Sequence, residues 1–470
     1  MTPIPADHLI VSPRHIPELH PEFVPASLWT REFLARCDQE GERPIVLALM
    51  RSDGTSSSHC DKILPALPQF ESLNLRHVER VVKFLLWARG GNRLLIAGAP
   101  ELVPALQNIY STAGDRAFDA DFVRRVFNGN LVIEAVSESD IPKAETAAAD
   151  QALGRHLEGC RIGFDLGGSD RKCAAVIDGK VVHSEEIAWD PYFEKDPDYH
   201  YQGIMDSLQR AAEHLPRVDA IGGSSAGVYV NNQVRVASLF RGVSKELFEK
   251  RVENIFLDIA REWNDVPMNV VNDGDVSALA GSMSLGEGGV LGLAMGTSTA
   301  VGYVDASGAI TNWLSELAFV PVDYGPGAPA DEWSGDIGCA VQYFSQQGVS
   351  RLIKVAGLEI DPKLAQREHL VEVQKLMEAG DDRAAAIYRT LGTCFGYAIA
   401  HFARFYEIHH LQVLGRVLSG PGGDLLLDHA NRVLRDEFPE LARSLTISMP
   451  DETQKRHGQA IAAASLPPLA

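Results

Sequence analysis

No two of the six cysteines, Cys37, Cys60, Cys160, Cys173, Cys339 and Cys394, stand two residues apart. Such scarcity and scatter argue against a disulfide framework and against a zinc knuckle, both of which need clustered thiols. Basic charge is also in short supply: 43 Lys and Arg against 63 Asp and Glu leave a formal net charge of -20 at pH 7. Surfaces for nucleic acid or anionic membranes displace counterions with basic patches, so no nucleic acid and no membrane partner is expected. The stretch MTPIPADHLIVSPRH has no basic segment followed by an apolar core. No run of about 18 apolar residues occurs anywhere, and no low-complexity segment is present. The expected compartment is a reducing cytoplasm.

What is present is the material of a large globular chain. With 45% hydrophobic and 23% charged residues over 470 positions, two or three domains are expected. Residues 44 to 50, PIVLALM, read as a buried strand, and the polar run RSDGTSSSHC after it as a loop. NLRHVERVVKFLLWARGG has helical spacing, with Asn74 as its N-cap and Gly90 as its stop. NRLLIAG is a second strand and PELVPALQNIYSTAG another helix, an α/β unit that ends near residue 138. The alanine-rich AETAAADQALGRH reads as a helical connector, which places a boundary near residue 150.

From residue 160 onward glycine-punctuated strands take over. CRIGFDL, KCAAVID and KVVHSEEIA form an antiparallel meander. A helix near 200 to 214, the strand VDAIGGSSAG, a helix over 245 to 263 and the strand MNVVNDG follow. VLGLAMGTSTAVGYVDASGAI then repeats the plan of strand, glycine-hydroxyl turn and strand, and two copies of one hairpin imply two related lobes. Beyond an irregular stretch, 313 to 338, helices are expected around 362 to 378 and 383 to 408. LQVLGRVLSGPGGDLLLDHANRVL is a strand that breaks at glycines and opens a helix, and the tail adds one more strand and a small-residue helix.

The first hairpin, RIGFDLGGSDRKCAAVIDGKVV, supports two readings. Gly167 and Gly168 supply the backbone freedom of a tight turn, with Asp165 solvated at the strand end. Alternatively their bare amides approach a phosphate while the carboxylate holds a hydrated metal ion. The twin turn at Gly296 favours phosphate.

Four stretches, DLGGSDRK, VVNDGDVSALAG, LAMGTSTAVGYVD and VLGRVLSGPGGD, stand in an order and spacing with a known counterpart. They resemble the phosphate-1, connecting, phosphate-2 and adenosine segments of the sugar kinase, heat-shock chaperone and actin superfamily. Within it they look most like the ROK family of sugar kinases and sugar-responsive regulators, over residues from about 160 to 466. The resemblance implies an α/β fold of two ribonuclease-H-like lobes around a cleft, 151–287 and 288–470; residues 1–150 lie outside the family pattern and are expected to form an N-terminal α/β accessory domain. Implied with it are ATP and Mg²⁺ as cofactors and a sugar or polyol as phosphoryl acceptor. A homodimer is the assembly left open.

Residue by residue, the resemblance places Gly167, Gly168 and Ser169 on one side of the nucleotide phosphates and Gly296, Thr297 and Ser298 on the other. Asp165 would orient hydrated Mg²⁺. Lys172 would approach a phosphate or stay a solvated strand lysine. Asp273 would be the general base that takes the proton of the attacking hydroxyl. Asn272 beside it would bind another hydroxyl; the bland alternative is a strand-ending turn with Asp275 capping the next helix. Ser225 and Gly227 would line the sugar pocket, or form an ordinary turn. Gly415, Gly420, Gly422 and Gly423 would leave flat space for the base and ribose, or mark a glycine-rich helix entrance.

The pattern breaks in one place. ROK kinases usually carry a glutamate shortly before a Gly-His pair, followed by a zinc-binding cysteine cluster. Here Glu316 keeps the acid, Ala318 and Phe319 stand for glycine and histidine, and Cys339 alone remains of the cysteines. Zinc is therefore not expected, and DYGPGAPADEWSG must be ordered by packing or ligand. Glu316 would accept from a sugar hydroxyl, or be merely solvated. Family regulators place a helix-turn-helix ahead of the lobes, whereas PIVLALM and RLLIAG are strands. Arg51, Asp53 and His59 suit hydroxyl binding at a strand end, a solvated loop being the alternative. An ATP-dependent sugar kinase is the leading reading. A sugar-sensing protein without turnover and a nucleotide-driven binding protein are the rivals.

Overall fold

The computed structural model describes residues 9–142, 153–449 and 452–469. The N-terminal unit runs α1 (Ala26–Glu40), β1 (Arg43–Met50), β2 (Ser56–Ile63), α2 (Glu71–Ala88), β3 (Arg93–Ala97), α3 (Val103–Ile109), α4 (Ala117–Phe127) and β4 (Val132–Ala135). Its sheet has the order β2-β1-β3-β4, with only β3 and β4 parallel. β1 is the expected buried strand. The loop after it is shorter than expected, because SSSHCDKI pairs along the whole of β1 from Met50↔Ser56 to Arg43↔Ile63. Ser57 and His59 point inward from this strand, so alternation, not polarity, decides its state. Asn74 is not a cap: α2 starts at Glu71, and the buried Asn74 amide bonds Leu64 N and O, both at 3.0 Å. The predicted helical connector lies largely outside the described residues.

The first lobe comprises β5 (Cys160–Leu166), β6 (Asp170–Ile177), β7 (Lys180–Ala188), α5 (Pro197–Ala212), β8 (Ala220–Ser225), β9 (Val228–Val230), β10 (Gln233–Val236), α6 (Lys245–Leu247), α7 (Ile255–Glu262), β11 (Met268–Asn272) and α8 (Asp273–Leu285). Its sheet order is β11-β8-β5-β6-β7, and β9 and β10 form a separate ribbon. The single helix expected over 245 to 263 is interrupted by a π-turn, Phe248–Val252. The carbonyl of Glu253 leaves the helical ladder to accept from Val234 N of β10 at 2.9 Å.

The second lobe repeats the plan: β12 (Val290–Met295), β13 (Thr299–Val304), α9 (Gln346–Val355), α10 (Gln366–Glu378), α11 (Asp382–Phe402), β14 (His410–Leu414), α12 (Pro421–Glu437), α13 (Pro439–Ser444), β15 (Thr446–Ser448) and α14 (Glu452–Ala464). In order β13-β12-β14-β15, an antiparallel hairpin is followed on one side by two parallel strands, as in β6-β5-β8-β11. The repeated hairpins thus belong to two lobes of one ribonuclease-H-like ground plan. Helix α9 was not expected, and α11 ends at Phe402 rather than near 408. α14 returns to the first lobe, where Gly163 and Gly222 admit it: a Cβ would lie 2.3 Å from Ala460 O and 1.7 Å from Ala463 O.

Burial links these parts unequally. Phe33, Phe84 and Trp87 of the N-terminal unit share one apolar core with Leu291, Tyr343 and Phe395 of the second lobe, while the first lobe keeps a core of its own around Phe164 and Phe256. An arm ahead of α1 fastens the same contact: His20 and Val24 N reach the Asp323 carboxylate, each at 3.0 Å. Residues expected to form a separate accessory domain are therefore packed as an extension of the second lobe. Among the described residues no helix is long and apolar enough to cross a membrane. The six cysteines are free, Cys60 being exposed and the others buried.

Candidate functional site

The parallel strands β5, β8 and β11 end side by side, at the sheet edge where open α/β folds bind ligands. Register aligns Asp165, Ser224 and Val271 in one row and Leu166, Ser225 and Asn272 in the next. The Ser224 hydroxyl donates to Asp165 Oδ1 at 2.9 Å. Lys172, the cross-strand partner of Asp165, has its ammonium 3.6 Å from that carboxylate and 3.2 Å from Asp170. Burial still holds the Asp165 carboxyl above the usual range, against the pull of Ser224 and Lys172. Lys172 is thus paired with carboxylates across the hairpin, a partial engagement between the two roles the sequence left open. A cavity of about 310 Å³ between this sheet and α14 opens beside Asp165 and Lys172.

Asp273 is the first residue of α8, and Asn272 is its N-cap, accepting from Gly274 N at 2.8 Å. The expected cap, Asp275, lies further along and accepts instead from Tyr303 N of β13 at 3.3 Å. The Asn272 amide also donates to Gly227 O at 2.7 Å. Both ends of Asn272 therefore hold the chain in place. Burial, reinforced by the charge of Asp165, pushes the Asp273 carboxyl up to about 6.

Ser225 is fully buried and accepts from the Tyr229 hydroxyl at 2.7 Å, so it supports the β8–β9 turn. Gly227, at φ 137°, is the residue on which that turn depends.

Glu316 joins Asp273 from the second lobe. Burial and then the Asp273 charge push its carboxyl up to about 7. Asp275, buried and facing the charges of both, is raised well above the carboxylate range. The sequence had singled out Asp273 and Glu316 but had left Asp275 a helix cap. Its membership in the acid cluster depends on β13 folding over α8, which no local pattern announces.

Ser169, Thr297 and Ser298 are solvent-facing at their turns. Gly167 N donates to Asp170 O and Gly296 N to Ser298 O, both at 2.9 Å, closing a four-residue and a three-residue turn. Gly168 lies under Tyr192, whose hydroxyl would be 2.1 Å from a Cβ there. Gln346 N, at the start of α9, donates to Gly296 O at 2.9 Å and so brings a helix N-terminus beside the second hairpin. In the adenosine segment Gly415, at φ 107°, backs onto Met295 O, and Gly420 faces open space. Gly422 and Gly423 do not leave a flat gap: Tyr388 and Leu418 O occupy the positions next to them. They are glycine because α12 packs closely there.

The 313–348 stretch is ordered without thiol chemistry. Cys339 is buried among Ala318 and Val341, its thiol donates to Asp336 O at 3.8 Å, and burial pushes it up to about 12. The charges of Lys83 and Asp336 also reach this thiol, and among the described residues no His, Cys, Asp and Glu cluster of metal-binding form occurs. Asp336 instead meets Lys83 at 3.0 Å, Arg116 at 2.7 Å and Arg80 at 3.4 Å, all from the N-terminal unit. Asp119 accepts from Lys83 at 3.1 Å and from the Trp87 indole at 2.5 Å. Phe319 stacks on Trp87 with ring centroids 4.3 Å apart. Arg51 donates to Arg89 O, Asp53 is exposed and accepts from Thr55 N at 2.9 Å, and both line a cavity with Gly227, Asn272 and Asp275, whereas His59 stacks on Phe405.

No family model and no curated relative matches the chain. Solved structures do. A ROK hexokinase from Thermus thermophilus superposes with a TM-score of 0.51 at 20% identity, covering 65% of this chain and 97% of that one. A ROK-family transcriptional regulator, a homologue of the E. coli MLC protein, gives 0.50 at 18%, covering 66% and 79%. A ROK glucokinase from Streptomyces griseus, in complex with glucose and AMPPNP, gives 0.46 at 19%, covering 65% and 98%. About a third of this chain lies outside the hexokinase match. Two lobes of one plan and the superpositions on the hexokinase and the regulator agree: the chain has the actin-like ATPase fold of those two proteins.

Proposed function

We propose that this chain is a ROK-family phosphotransferase that uses Mg-ATP to phosphorylate a hydroxyl of a sugar or sugar-like acceptor. The observation that carries the reading is the placement of Asp273 at the end of β11. It stands next to Asp165 and Glu316, flanked by two exposed glycine-hydroxyl turns, and is held up to about 6. A carboxyl with that value is ionised at neutral pH yet basic enough to take a proton from an attacking hydroxyl. Glu316 would accept a second acceptor hydroxyl, and Asn272 keeps Asp273 aligned through its bonds to Gly227 O and Gly274 N.

Ser169, Thr297 and Ser298, with the backbone amides of their turns, would receive the phosphates, and Lys172 would swing from Asp170 to an anionic oxygen. Gly415 and Gly420 would border the nucleoside. Mg²⁺ fits the site, since the carboxylates of Asp165 and Asp170, 3.6 and 3.2 Å from the Lys172 ammonium, offer hard oxygen donors beside the first turn. When bound, the ion neutralises charge on the transferring phosphoryl group. The proposed compartment remains the cytoplasm.

The reading is tested by ADP release coupled to a reporter enzyme, with Mg-ATP and a panel of hexoses, amino sugars and polyols. Release that depends on one acceptor supports it. Acceptor-independent release assigns the chain to nucleotide-driven binding instead. A sensor without turnover is favoured by one observation, the apolar Phe319 where the resemblance implies histidine; sugar binding without ADP release would establish it.

A further inference from the structure

The C-terminus of α2 leaves backbone carbonyls without helical partners, as every helix end does. Here they are used. Trp87 O, Ala88 O and Arg89 O accept from the amides of Glu316, Ser315 and Leu314 at 3.0, 2.8 and 3.3 Å. Three successive residues of the second lobe, ending on Glu316, are thus laid antiparallel along the end of an N-terminal helix. Ser315 sits at φ 52°, a left-handed conformation that a non-glycine residue keeps only when its neighbours hold it. Three residues on, Phe319 is pinned between Trp87 and Phe118, with centroids at 4.3 and 5.6 Å. Further on, Asp336 is drawn into the buried Lys83 and Arg116 pair. The same unit reaches the opposite wall: Arg51 and Asp53 line one cavity with Gly227 and Asn231, and Val228 of the β9–β10 ribbon belongs to the core that contains Trp87.

We propose that the N-terminal unit positions the acceptor-binding carboxylate: α2, through its terminal carbonyls and the Trp87–Phe319 stack, holds the backbone of Glu316 in register with Asp273. Trp87 and Phe319 are positioning residues in this arrangement, and neither needs to touch the sugar. The inference rests on the acceptor role proposed for Glu316. The ring at 319 has a purpose here, because an apolar ring is what the indole of Trp87 can grip. Stacked aromatic pairs are worth about 0.5–1.5 kcal/mol beyond their burial, enough to favour one conformation of a short segment.

The test uses the full chain with Phe319→Leu, which keeps an apolar side chain but loses the stack, and Phe319→Tyr, which keeps the ring. Amide hydrogen exchange at 314 to 316 should accelerate at least about tenfold in Phe319→Leu and remain slow in Phe319→Tyr, with β12 unchanged in both. The KM for the acceptor that the panel identifies should rise about tenfold in Phe319→Leu, with kcat and the KM for ATP within about twofold, and Phe319→Tyr should restore it.

Unchanged exchange at 314 to 316 would overturn the clamp. Faster exchange with an unchanged acceptor KM would overturn its link to the acceptor. If no acceptor supports ADP release in the wild-type chain, the kinase reading fails by itself. Calorimetric binding of the same sugar panel then replaces KM; an equal affinity in wild type and Phe319→Leu overturns the proposal, and a tenfold loss upholds it. Should Phe319→Leu fail to fold, Phe118→Leu, which loosens the same ring from its other side, carries the same two readouts.

Discussion

Lys83 Nζ lies 3.0 Å from Asp336 Oδ2, and both side chains are almost wholly sealed from solvent, at 0% and 4% exposure. Asp119, at 2% exposure and 3.1 Å, completes the group. Burial alone would lower the Lys83 pKa, but the Asp119 charge, with that of Asp336, holds it above the ordinary lysine value. Lys83→Met keeps the length of the side chain, leaves the buried Asp119 carboxylate with only the Trp87 indole and takes one of three cations from Asp336. Removing one partner of a buried ionic group costs about 3–5 kcal/mol, so the urea midpoint should fall by an amount of that order. An unchanged midpoint would show that the network contributes nothing to holding α2 on the second lobe.

Removal of the N-terminal unit should be damaging for a related reason. A chain that begins at residue 153 would expose Leu291, Tyr343 and Phe395, which share a core with Phe33 and Trp87. Such a surface is an aggregation site. The truncated chain is expected in the insoluble fraction, or to bind a hydrophobic dye strongly if soluble. A soluble, dye-silent monomer would mean that the two lobes close without this unit.

Asp273→Asn is expected to gain stability and lose activity together. The Asp273 carboxyl stands at about 6 in the folded chain against 3.8 as its ordinary value. As pH rises through the window between them, the unfolded chain releases its proton first, so stability falls and stays lower above about 6. At about 1.36 kcal/mol for each pKa unit, the penalty at pH 7.5 is on the order of 3 kcal/mol, which the amide removes. Thermal unfolding at pH 7.5 should shift upward while transfer drops about 10²- to 10⁴-fold. Below pH 4 the stability difference should vanish. A destabilised variant at pH 7.5 would assign Asp273 a structural role instead.

Glu316, held up to about 7 by burial and then by Asp273, should leave its mark on acceptor affinity. Its charged form is the better hydrogen-bond acceptor, so the acceptor KM should fall as pH rises through about 7. Glu316→Gln should abolish that dependence and raise KM by roughly 10- to 150-fold, the equivalent of a hydrogen bond to a charged group at about 1.5–3 kcal/mol. The measurement is a KM–pH profile from 5.5 to 8.5 with each enzyme; a Gln variant with the wild-type profile would remove Glu316 from the acceptor pocket.

Asp165→Asn should move the Mg²⁺ requirement. The variant keeps the Ser224 hydrogen bond at 2.9 Å but offers one fewer charge to the ion, so half-maximal transfer should need about tenfold more Mg²⁺ at saturating ATP, a difference of about 1.4 kcal/mol. A wild-type titration curve in the variant would place the metal elsewhere.

Much of this arrangement can be read from local sequence. Asp165 before Gly167-Gly168-Ser169, and Gly296-Thr297-Ser298 after a buried strand, announce two turns because glycine and a hydroxyl at a strand end are conspicuous against apolar runs. Asp273 is legible for the same reason. Asn74, Asp275 and Gly422 mislead because each has a common local use, as cap or open turn, which a partner distant in the chain overrides: Leu64, Tyr303 and Tyr388 respectively. SSSHCDKI looks like a loop until β1 supplies a ladder for it.

By itself the sequence determined the strand ends, the two glycine-hydroxyl turns and the acids placed near them, because backbone conformation and side-chain charge are local properties. It also determined that no cysteine cluster could order residues 313 to 348. What orders them was decided only by the tertiary structure. The carbonyls of Trp87, Ala88 and Arg89 and the ammonium of Lys83 find their partners across most of the chain. Helix-end carbonyls and buried charges must each be satisfied by something, but their identity alone does not say by what; that choice belongs to packing.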